Sequence, residues 1–233
     1  KLLPQMLDNL AGLSFRIFVV DDGCEDNTAE VAARFFEQGV RVVKHGQNRG
    51  LGEALRTGFN CALQESSDND VIITLDSDNT HPSDLIPSMV KKIDTGLDIV
   101  VASRFAPGGG EVGLSLRRRF LSRGAGWLMS LFFPLEGIKD YSCGFRAYRA
   151  SCLAQGIDFF GPGLIESAGF AVSVEILLKL TMFGPACGEV PLVLRYDQKQ
   201  GKSKLPLLRT ILGYVQLIFR LKRKPAQQAE VEV

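Results

Sequence analysis

The sequence is poor in the features that mark several large classes of protein. Its five cysteines are scattered and form no Cys-x-x-Cys pair, which argues against a zinc site or a disulfide framework and fits a reducing compartment. The net charge is only +1, so we expect no global attraction to nucleic acid. No uninterrupted apolar run reaches the roughly 18 residues that mark a membrane span. What is left is a chain of 233 residues, 45% apolar and 23% charged, long enough for one large α/β domain.

Apolar runs with strand character alternate with amphipathic segments over the first hundred residues. We predict strands at 16–20, 41–44, 71–75 and 98–102, and helices at 28–38, 51–64 and 83–95. This order predicts an α/β domain with a mostly parallel sheet that is covered by helices on both faces. In the second half, we expect strands at 141–148 and 189–196 and a helix at 169–183.

The first ten residues have the apolar periodicity of a helix rather than of a strand. One face would carry Leu2, Leu3, Met6, Leu7 and Leu10. An α/β domain of this kind seldom begins with such a helix. We therefore expect that a first strand precedes it and is missing from this sequence.

Two carboxylates one residue apart, Asp76 and Asp78, follow the apolar run 71–75. They fall at the carboxyl end of a predicted strand, which is where ligands bind in open α/β sheets. Carboxylates this close repel each other unless something positive lies between them. Mg²⁺ is a common solution, because it takes one or two protein carboxylates together with substrate phosphates. Taken alone, the pair is equally compatible with a solvated acidic turn.

Acidic residues also end the first predicted strand. Asp21 and Asp22 follow the run 16–20, where a carboxylate can accept hydrogen bonds from a nucleobase N–H or from ribose hydroxyls. The same cluster also suits the capped start of a helix. A glycine-containing loop at 48–52 leads into the next helix. It is not a dinucleotide fingerprint, because Leu55 occupies the third glycine position, and a tightly packed loop is the simpler interpretation.

Arginines follow the next strand. Arg104 lies just after the run 98–102, and we expect it to face the same edge of the sheet as Asp76 and Asp78. A basic cluster comes next and consists of Arg117, Arg118, Arg119 and Arg123. Such a cluster is usually a solvated face, but guanidinium forks also match phosphate oxygens.

The last predicted helix, 205–221, is apolar except for a narrow stripe made of Arg209, Gly213, Gln216 and Arg220. Between residues 199 and 224 there are eight basic residues and no acidic one. A wide apolar face beside cationic residues is typical of a helix that lies in a membrane interface. The alternative is a helix that packs on the core and has a solvated basic end.

Together these motifs resemble glycosyltransferase family 2, whose members have the GT-A fold. Within it they are most similar to polyprenol-phosphate sugar transferases of the dolichyl-phosphate mannosyltransferase type. The motifs span nearly the whole chain in the family's order: Val20-Asp21-Asp22-Gly23, Asn48-Arg49-Gly50-Leu51-Gly52, Asp76-Ser77-Asp78 with His81-Pro82, Ser103-Arg104-Phe105, Arg118 with Ser122-Arg123, Asp140-Tyr141-Ser142-Cys143-Gly144-Phe145-Arg146, Glu189-Val190-Pro191 and Gly201-Lys202-Ser203-Lys204-Leu205.

The resemblance implies a Rossmann-like GT-A domain and assigns roles at the donor site. Asp76 and Asp78 would hold Mg²⁺ or Mn²⁺ on the diphosphate of a nucleotide sugar, with Ser77 in the same binding turn. Asp22, with the backbone near Val20, would contact the nucleoside.

Further roles implied by the resemblance belong to basic residues. Arg104 and Lys204 would contact the phosphates of the sugar nucleotide, and Arg118 would help to bind the phosphate of a lipid acceptor. The family often has an arginine where this chain has Gln198. Arg195, or less readily Lys199, would then supply the missing charge.

Two other departures concern the metal turn and the family's first strand. Thr80 stands where relatives can have a glutamine as a further metal ligand. Because threonine is a poorer ligand, we do not count Thr80 among the metal ligands. The family's first strand, which lines the nucleotide pocket, would lie before Lys1.

From these observations we expect a metal-dependent inverting transferase that moves a hexose to a polyprenyl or dolichyl phosphate. Mannose from GDP-mannose is favoured by similarity, and glucose from UDP-glucose is the alternative. The transferase domain would comprise residues 1–204, an amphipathic membrane-interface helix residues 205–224, and a disordered tail residues 225–233. We expect a peripheral location on the cytoplasmic face of a membrane, and the resemblance admits a membrane-anchor subunit as a partner.

Two readings from other classes stay open on the sequence. The segment 76–80 also fits the Asp-x-Asp-x-Thr motif of haloacid dehalogenase-type phosphatases, with Asp76 as nucleophile. In that superfamily, however, the motif lies near the N-terminus and an acidic pair follows much later, whereas here Asp21 and Asp22 come before it. The other reading is a scaffold at a membrane surface without enzymatic activity.

Overall fold

The structure is a computed structural model that describes residues 2–114, 116–198 and 207–223. The strands are β1 (Ile17–Asp21), β2 (Val40–Lys44), β3 (Val71–Thr74), β4 (Ile99–Ser103), β5 (Gly110–Val112), β6 (Arg146–Arg149), β7 (Cys187–Pro191) and β8 (Val193–Arg195). The helices are α1 (Leu2–Asn9), α2 (Thr28–Ala33), α3 (Leu51–Gln64), α4 (Ile86–Asp94), α5 (Leu116–Phe132), α6 (Ala150–Phe160), α7 (Ala171–Leu180) and α8 (Leu207–Arg223).

The strands form three sheets, and the prediction of mostly parallel pairing is confirmed. The central sheet has the order β3-β6-β4-β7, while β1-β2 and β5-β8 are two-stranded. Three pairings are parallel, and β6 runs antiparallel to both of its neighbours. All five residues of β4 are buried, as expected for a strand covered on both faces.

Most predicted elements occur close to their expected bounds. The helix at 51–64 agrees to the residue, whereas the helix expected at 28–38 ends at Ala33 and continues as a short 3₁₀ turn. The strand expected at 189–196 is two strands, because Leu192 leaves β7 to bond across to Ser103 and Gly110. Helix α6 and the short strand β5 were not predicted.

Helix α8 packs on the domain along one side. Tyr214, Leu217 and Ile218 are buried, and a Cβ on Gly213 would lie 3.3 Å from the Ala171 side chain. None of the described helices is both long enough and apolar enough to cross a membrane. The reading of a helix that packs on the core is therefore confirmed for this side of α8.

A buried ionic network fastens α8 to α7. The Arg220 guanidinium donates to Glu175 Oε1 and to Ser167 Oγ, each over 2.7 Å. Glu175 Oε1 also accepts from the buried Lys179 ammonium, while its Oε2 accepts the backbone N–H groups of Glu166 and Ser167. Glu175 thus pairs with two cations and anchors the loop before α7.

We predict that Glu175→Ala destabilises the fold by about 3–5 kcal/mol, because it leaves Lys179 buried without its nearest carboxylate. The matched control is Glu65→Ala, which removes an exposed ion pair with Arg16 of 2.6 Å. That pair should contribute only about 0–1 kcal/mol. Urea unfolding of the two variants measures the difference, and equal losses would contradict the prediction.

Candidate active site

The paired carboxylates lie in a tight turn directly after β3. Asp76 is exposed and Asp78 is half-buried. The buried Thr80 directs two donors at Asp78 Oδ1, its hydroxyl over 2.6 Å and its backbone N–H over 3.1 Å. Asn79 between them has a φ of 62°, a conformation that asparagine tolerates better than most residues. Thr80 therefore orients Asp78.

His81 closes the same turn from the inside. It is buried, its Nδ1 accepts the backbone N–H of Asp76 over 3.0 Å, and its ring stacks on Phe145 with centroids 5.2 Å apart. Burial lowers the pKa of His81, and the nearby carboxylates of Asp76 and Asp78 oppose this only in part. The imidazole is thus held neutral. Sequence reasoning gave this histidine no function, because the proposed chemistry needs no strong base.

The segment after β8 adjoins the turn. The Arg195 backbone N–H donates to the Thr80 carbonyl over 3.1 Å, and the Asn79 side-chain amide lies 3.3 Å from Gln198 Oε1. The Arg195 guanidinium itself pairs with Asp197 at 2.8 Å, which raises the pKa of Arg195. The structure therefore brings Arg195 to the turn, while its contact with a phosphate stays a prediction.

Asp22 braces the loop that leads into α3. Its Oδ1 accepts the Arg49 backbone N–H over 2.9 Å and His45 Nδ1–H over 2.7 Å, and its Oδ2 accepts the Gly50 N–H over 2.8 Å. Burial by itself would raise the pKa of Asp22, but these donors outweigh it and lower the pKa. Val20 lies half-buried nearby in β1. The predicted nucleoside contact of Asp22 is untested, and His45 is a partner that the sequence did not reveal.

Gly23 explains the glycine in the motif after β1. Its φ is +77°, and a Cβ there would lie 2.5 Å from backbone atoms of both Gln47 and Asn48. Such a contact is far below van der Waals distance, so any side chain would push the two loops apart. The turn after β1 and the loop before α3 are thus packed backbone to backbone.

Arg104 is an internal ion-pair residue. Its Nε and one terminal nitrogen each donate to Asp140 over 2.7 Å, and further donors reach Glu111 at 3.1 Å and Ser142 at 2.7 Å. Burial alone would lower the pKa of Arg104, but Asp140 outweighs it and raises the pKa. The charges of Arg104 and Asp140 also act on the pKa of His81, where Arg104 lowers it and Asp140 raises it. Direct contact of Arg104 with a phosphate stays a prediction.

The remaining predicted site residues can be placed only in part. Ser77 is exposed in the turn between the two carboxylates. Arg118 lies on α5, but its side chain is outside the described part of the structure. Lys199, Lys204 and the tail 225–233 lie outside the described residues altogether.

The turn has the donor chemistry of a Mg²⁺ or Mn²⁺ site. Within the described residues, no three His, Cys, Asp or Glu side chains cluster so as to hold a metal, which leaves two carboxylates here. Two carboxylates suit an ion that completes its shell with waters and substrate phosphates. The exposed Asp76 carboxylate accepts no hydrogen bond from the described residues. The residues present therefore fit such an ion.

Comparison with known proteins identifies relatives. The profile described as "Glycosyl transferase family 2" matches residues 1–156. A protein from Pyrococcus furiosus named dolichol-phosphate mannosyltransferase is 31% identical over 93% of this chain, and the match spans 58% of its own length. A polyprenol monophosphomannose synthase from Mycolicibacterium smegmatis is 30% identical over 81% of this chain and 69% of its own. An undecaprenyl-phosphate mannosyltransferase from Micrococcus luteus is 31% identical over 81% and 75%.

Solved structures share the fold at lower identity. A glucosyl-3-phosphoglycerate synthase from Mycobacterium tuberculosis, in complex with Mn²⁺, UDP and phosphoglyceric acid, has a TM-score of 0.61 and 23% identity over 93% of this chain and 70% of its own. A mannosyltransferase from Pyrobaculum calidifontis, in complex with GDP-Man and Mn²⁺, has a TM-score of 0.54 and 18% identity over 96% and 61%. These likenesses confirm the predicted GT-A fold.

We predict that Asp140→Asn destabilises the fold at neutral pH by about 3–5 kcal/mol, because the buried Arg104 loses the nearer of its two carboxylates. Burial would raise the pKa of Asp140, but Arg104 lowers it below the ordinary value. The contribution of Asp140 is therefore complete above that ordinary value of about 3.9 and is lost as the pH falls through the lowered pKa.

The measurement is urea unfolding of both proteins between pH 7 and the lowest pH at which they fold. The difference between wild type and Asp140→Asn should be constant near neutrality and should shrink below about pH 4. A difference that grows on acidification would contradict the assignment.

Proposed function

The chain belongs to glycosyl transferase family 2, and on that premise we propose that it transfers a hexose from a nucleotide sugar to a polyprenyl phosphate. The first donor to consider is GDP-mannose. Three relatives, each at least 30% identical to this chain, carry this proposal. They are named dolichol-phosphate mannosyltransferase, polyprenol monophosphomannose synthase and undecaprenyl-phosphate mannosyltransferase. Family membership speaks against the phosphatase with Asp76 as nucleophile.

The donor would bind at the turn after β3. Asp76 and Asp78 would hold Mg²⁺ or Mn²⁺, and two structural neighbours were solved with Mn²⁺ and a nucleotide or nucleotide sugar. When bound, such an ion acts as a Lewis acid for the departing diphosphate. Val20, Asp22 and Ser77 complete the proposed donor site.

The acceptor needs little chemical activation. A phosphate monoester carries most of its second negative charge near neutral pH, because its second pKa is about 6. An acceptor phosphate oxygen attacks the anomeric carbon, and the bond from that carbon to the diphosphate oxygen breaks with its electron pair on the leaving nucleoside diphosphate. Attack in line inverts the anomeric configuration. No strong general base is required of the protein.

Positive charge is what the acceptor does require, since one anion must approach another. In this proposal Arg118 binds the acceptor phosphate, and Arg195 and Lys204 contact the donor phosphates. Arg104 belongs to the same group by resemblance. Because Arg104 is buried and paired with Asp140, its main role in this proposal is to support the site. Arginines match phosphate oxygens through paired N–H donors.

The lipid part of the acceptor would be met by two adjacent helices. Helices α5 and α8 pack together and expose a shared patch, here called the α5–α8 apolar surface: Trp127, Leu131, Phe132, Leu212, Val215 and Phe219. Lys222 lies over the Phe132 ring at 4.7 Å, which joins the two halves. An exposed apolar face with cationic residues suits an anionic membrane interface.

This surface supports the proposed division of the chain, with 1–204 as the transferase domain and 205–224 as an interface helix. A peripheral position on the cytoplasmic face of a membrane follows from the same proposal. In that arrangement the lipid phosphate is reached without extraction of the acceptor from the membrane. A membrane-anchor subunit would be an additional partner on such a surface.

A donor panel tests the proposed function. The full-length protein is incubated with polyprenyl phosphate and radiolabelled GDP-mannose, UDP-glucose or other nucleotide sugars, with Mn²⁺, with Mg²⁺ or with EDTA. We expect lipid-linked mannose from GDP-mannose and none after removal of the metal. Lipid-linked product from no donor would overturn the proposal, and product from UDP-glucose alone would replace mannose by glucose.

Asp76→Asn provides the matched test of the metal turn and should lower the rate by about 100-fold or more, as loss of transition-state electrostatics does elsewhere. The control is Asp84→Asn, which removes an exposed carboxylate on the segment that follows the turn. It should leave the rate unchanged, and equal rates for the two variants would contradict the assignment of Asp76.

The α5–α8 apolar surface makes a separate prediction. Trp127 is the chain's only tryptophan and is 67% exposed, so its fluorescence reports on this surface. Vesicles that contain anionic lipid should shift the emission to the blue. Phe219→Glu should weaken vesicle binding by about tenfold or more, because burial of a phenylalanine contributes about 1.5–3 kcal/mol.

The control for vesicle binding is Phe36→Glu, which changes a phenylalanine that is 54% exposed in the segment between α2 and β2. It should bind vesicles as wild type does. An equal loss in both variants, or an unshifted Trp127 emission in wild type, would contradict the assignment of the surface.

A further inference from the structure

We infer that His81 is a positioning residue that fixes the backbone from which the Asp76 carboxylate extends, an inference that rests on the proposed metal site. His81 touches neither donor nor acceptor in this scheme. It acts through the backbone of Asp76, and it is a residue for which the transfer chemistry provides no role.

The geometry identifies both the tautomer and the contact. His81 Nδ1 accepts the backbone N–H of Asp76 over 3.0 Å, so Nδ1 carries no proton and the ring proton of the neutral imidazole lies on Nε2. The ring is buried and stacks on the fully buried Phe145 at a centroid distance of 5.2 Å and an angle of 25°. Phe145 leads directly into β6, which pairs with β3. The acceptor nitrogen is therefore fixed to the rigid centre of the domain.

The two carboxylates of the turn are held in different ways. Asp78 is oriented through its side chain, because the Thr80 hydroxyl and backbone N–H both donate to its Oδ1. The Asp76 carboxylate is exposed and accepts no hydrogen bond within the described residues. The positions that this carboxylate can reach depend on the backbone at Asp76, and the His81 side chain binds this backbone. The fold therefore fixes the starting point of the first side chain, through its peptide plane, rather than the carboxylate itself.

The size of the effect follows from residues that support metal ligands in other proteins. Loss of such a supporting hydrogen bond typically weakens metal affinity by about 10–100-fold. His81 contributes packing as well as a hydrogen bond, so the test must separate the two. Two substitutions do this, because each keeps one contribution and removes the other.

His81→Phe keeps a ring that can stack on Phe145 and removes the acceptor. His81→Asn keeps an acceptor oxygen near the position of Nδ1 and removes the ring. The first measurement is hydrogen exchange of the Asp76 amide without metal. We expect faster exchange in His81→Phe than in wild type, and exchange close to wild type in His81→Asn.

The second measurement is calorimetric titration of Mn²⁺ in the presence of GDP and, in parallel, of UDP, with thermal unfolding recorded for each variant. We expect Mn²⁺ affinity to fall by about tenfold or more in His81→Phe and to be largely retained in His81→Asn. A purely structural histidine would instead lower the Tm of both variants and leave the affinity of the folded protein unchanged.

The outcomes distinguish this inference from the proposed function. If wild type fails to bind Mn²⁺ both in the presence of GDP and in the presence of UDP, the proposed metal site is wrong and the inference is wrong with it. If wild type binds and His81→Phe binds equally well, or if its Asp76 amide exchanges as in wild type, the inference alone is overturned.

Discussion

Repulsion between two carboxylates on one short turn is the constraint around which this site is built. Asp76 and Asp78 are separated by a single residue, and no described cation is bonded to Asp76. Two neutral groups help to order the turn: an imidazole behind the first carboxylate and a threonine hydroxyl beside the second. Neither group cancels the charge of the carboxylate beside it. The exposed Asp76 carboxylate, which accepts no hydrogen bond from the described residues, stays available to a divalent ion.

Two groups of buried charges elsewhere in the fold follow the opposite rule, because ions of opposite sign are paired in them. Arg104 is matched by Asp140, and Glu175 is matched by Lys179 and Arg220. An unpaired ion in such places would cost several kcal/mol, so these pairs are best understood as supports that cannot be broken one partner at a time. The paired buried charges support the fold, whereas the exposed Asp76 carboxylate is left available to bind an ion.

Local pattern predicted much of the fold and the polar positions of the site, but not their partners. The helix at 51–64 and the strand ends just before Asp22 and Asp76 could be found because the apolar pattern stops abruptly there. Asp140 could not be assigned to Arg104, since 36 residues separate them and only the sheet brings them together. Helix α6 was missed for a similar reason: Gly156 fits against Leu180 of α7, and such packing leaves no periodic signal.

Helix α8 shows how one sequence pattern can hold two meanings at once. The narrow stripe beside a wide apolar face favoured an interface helix on the sequence, and in the structure Gly213 of this stripe faces Ala171 and Arg220 reaches the buried Glu175. Two members of the stripe thus lie on the docking side, where Gly213 permits close approach and Arg220 meets its carboxylate, whereas Gln216 is exposed. The exposed residues of α8 are mostly apolar, and Phe219 among them is 64% exposed. A helix that only completed the core would place such residues inward. Because α8 docks partly through a buried ion pair, it can expose apolar residues to a second apolar environment. In the proposed function this environment is the membrane that holds the acceptor.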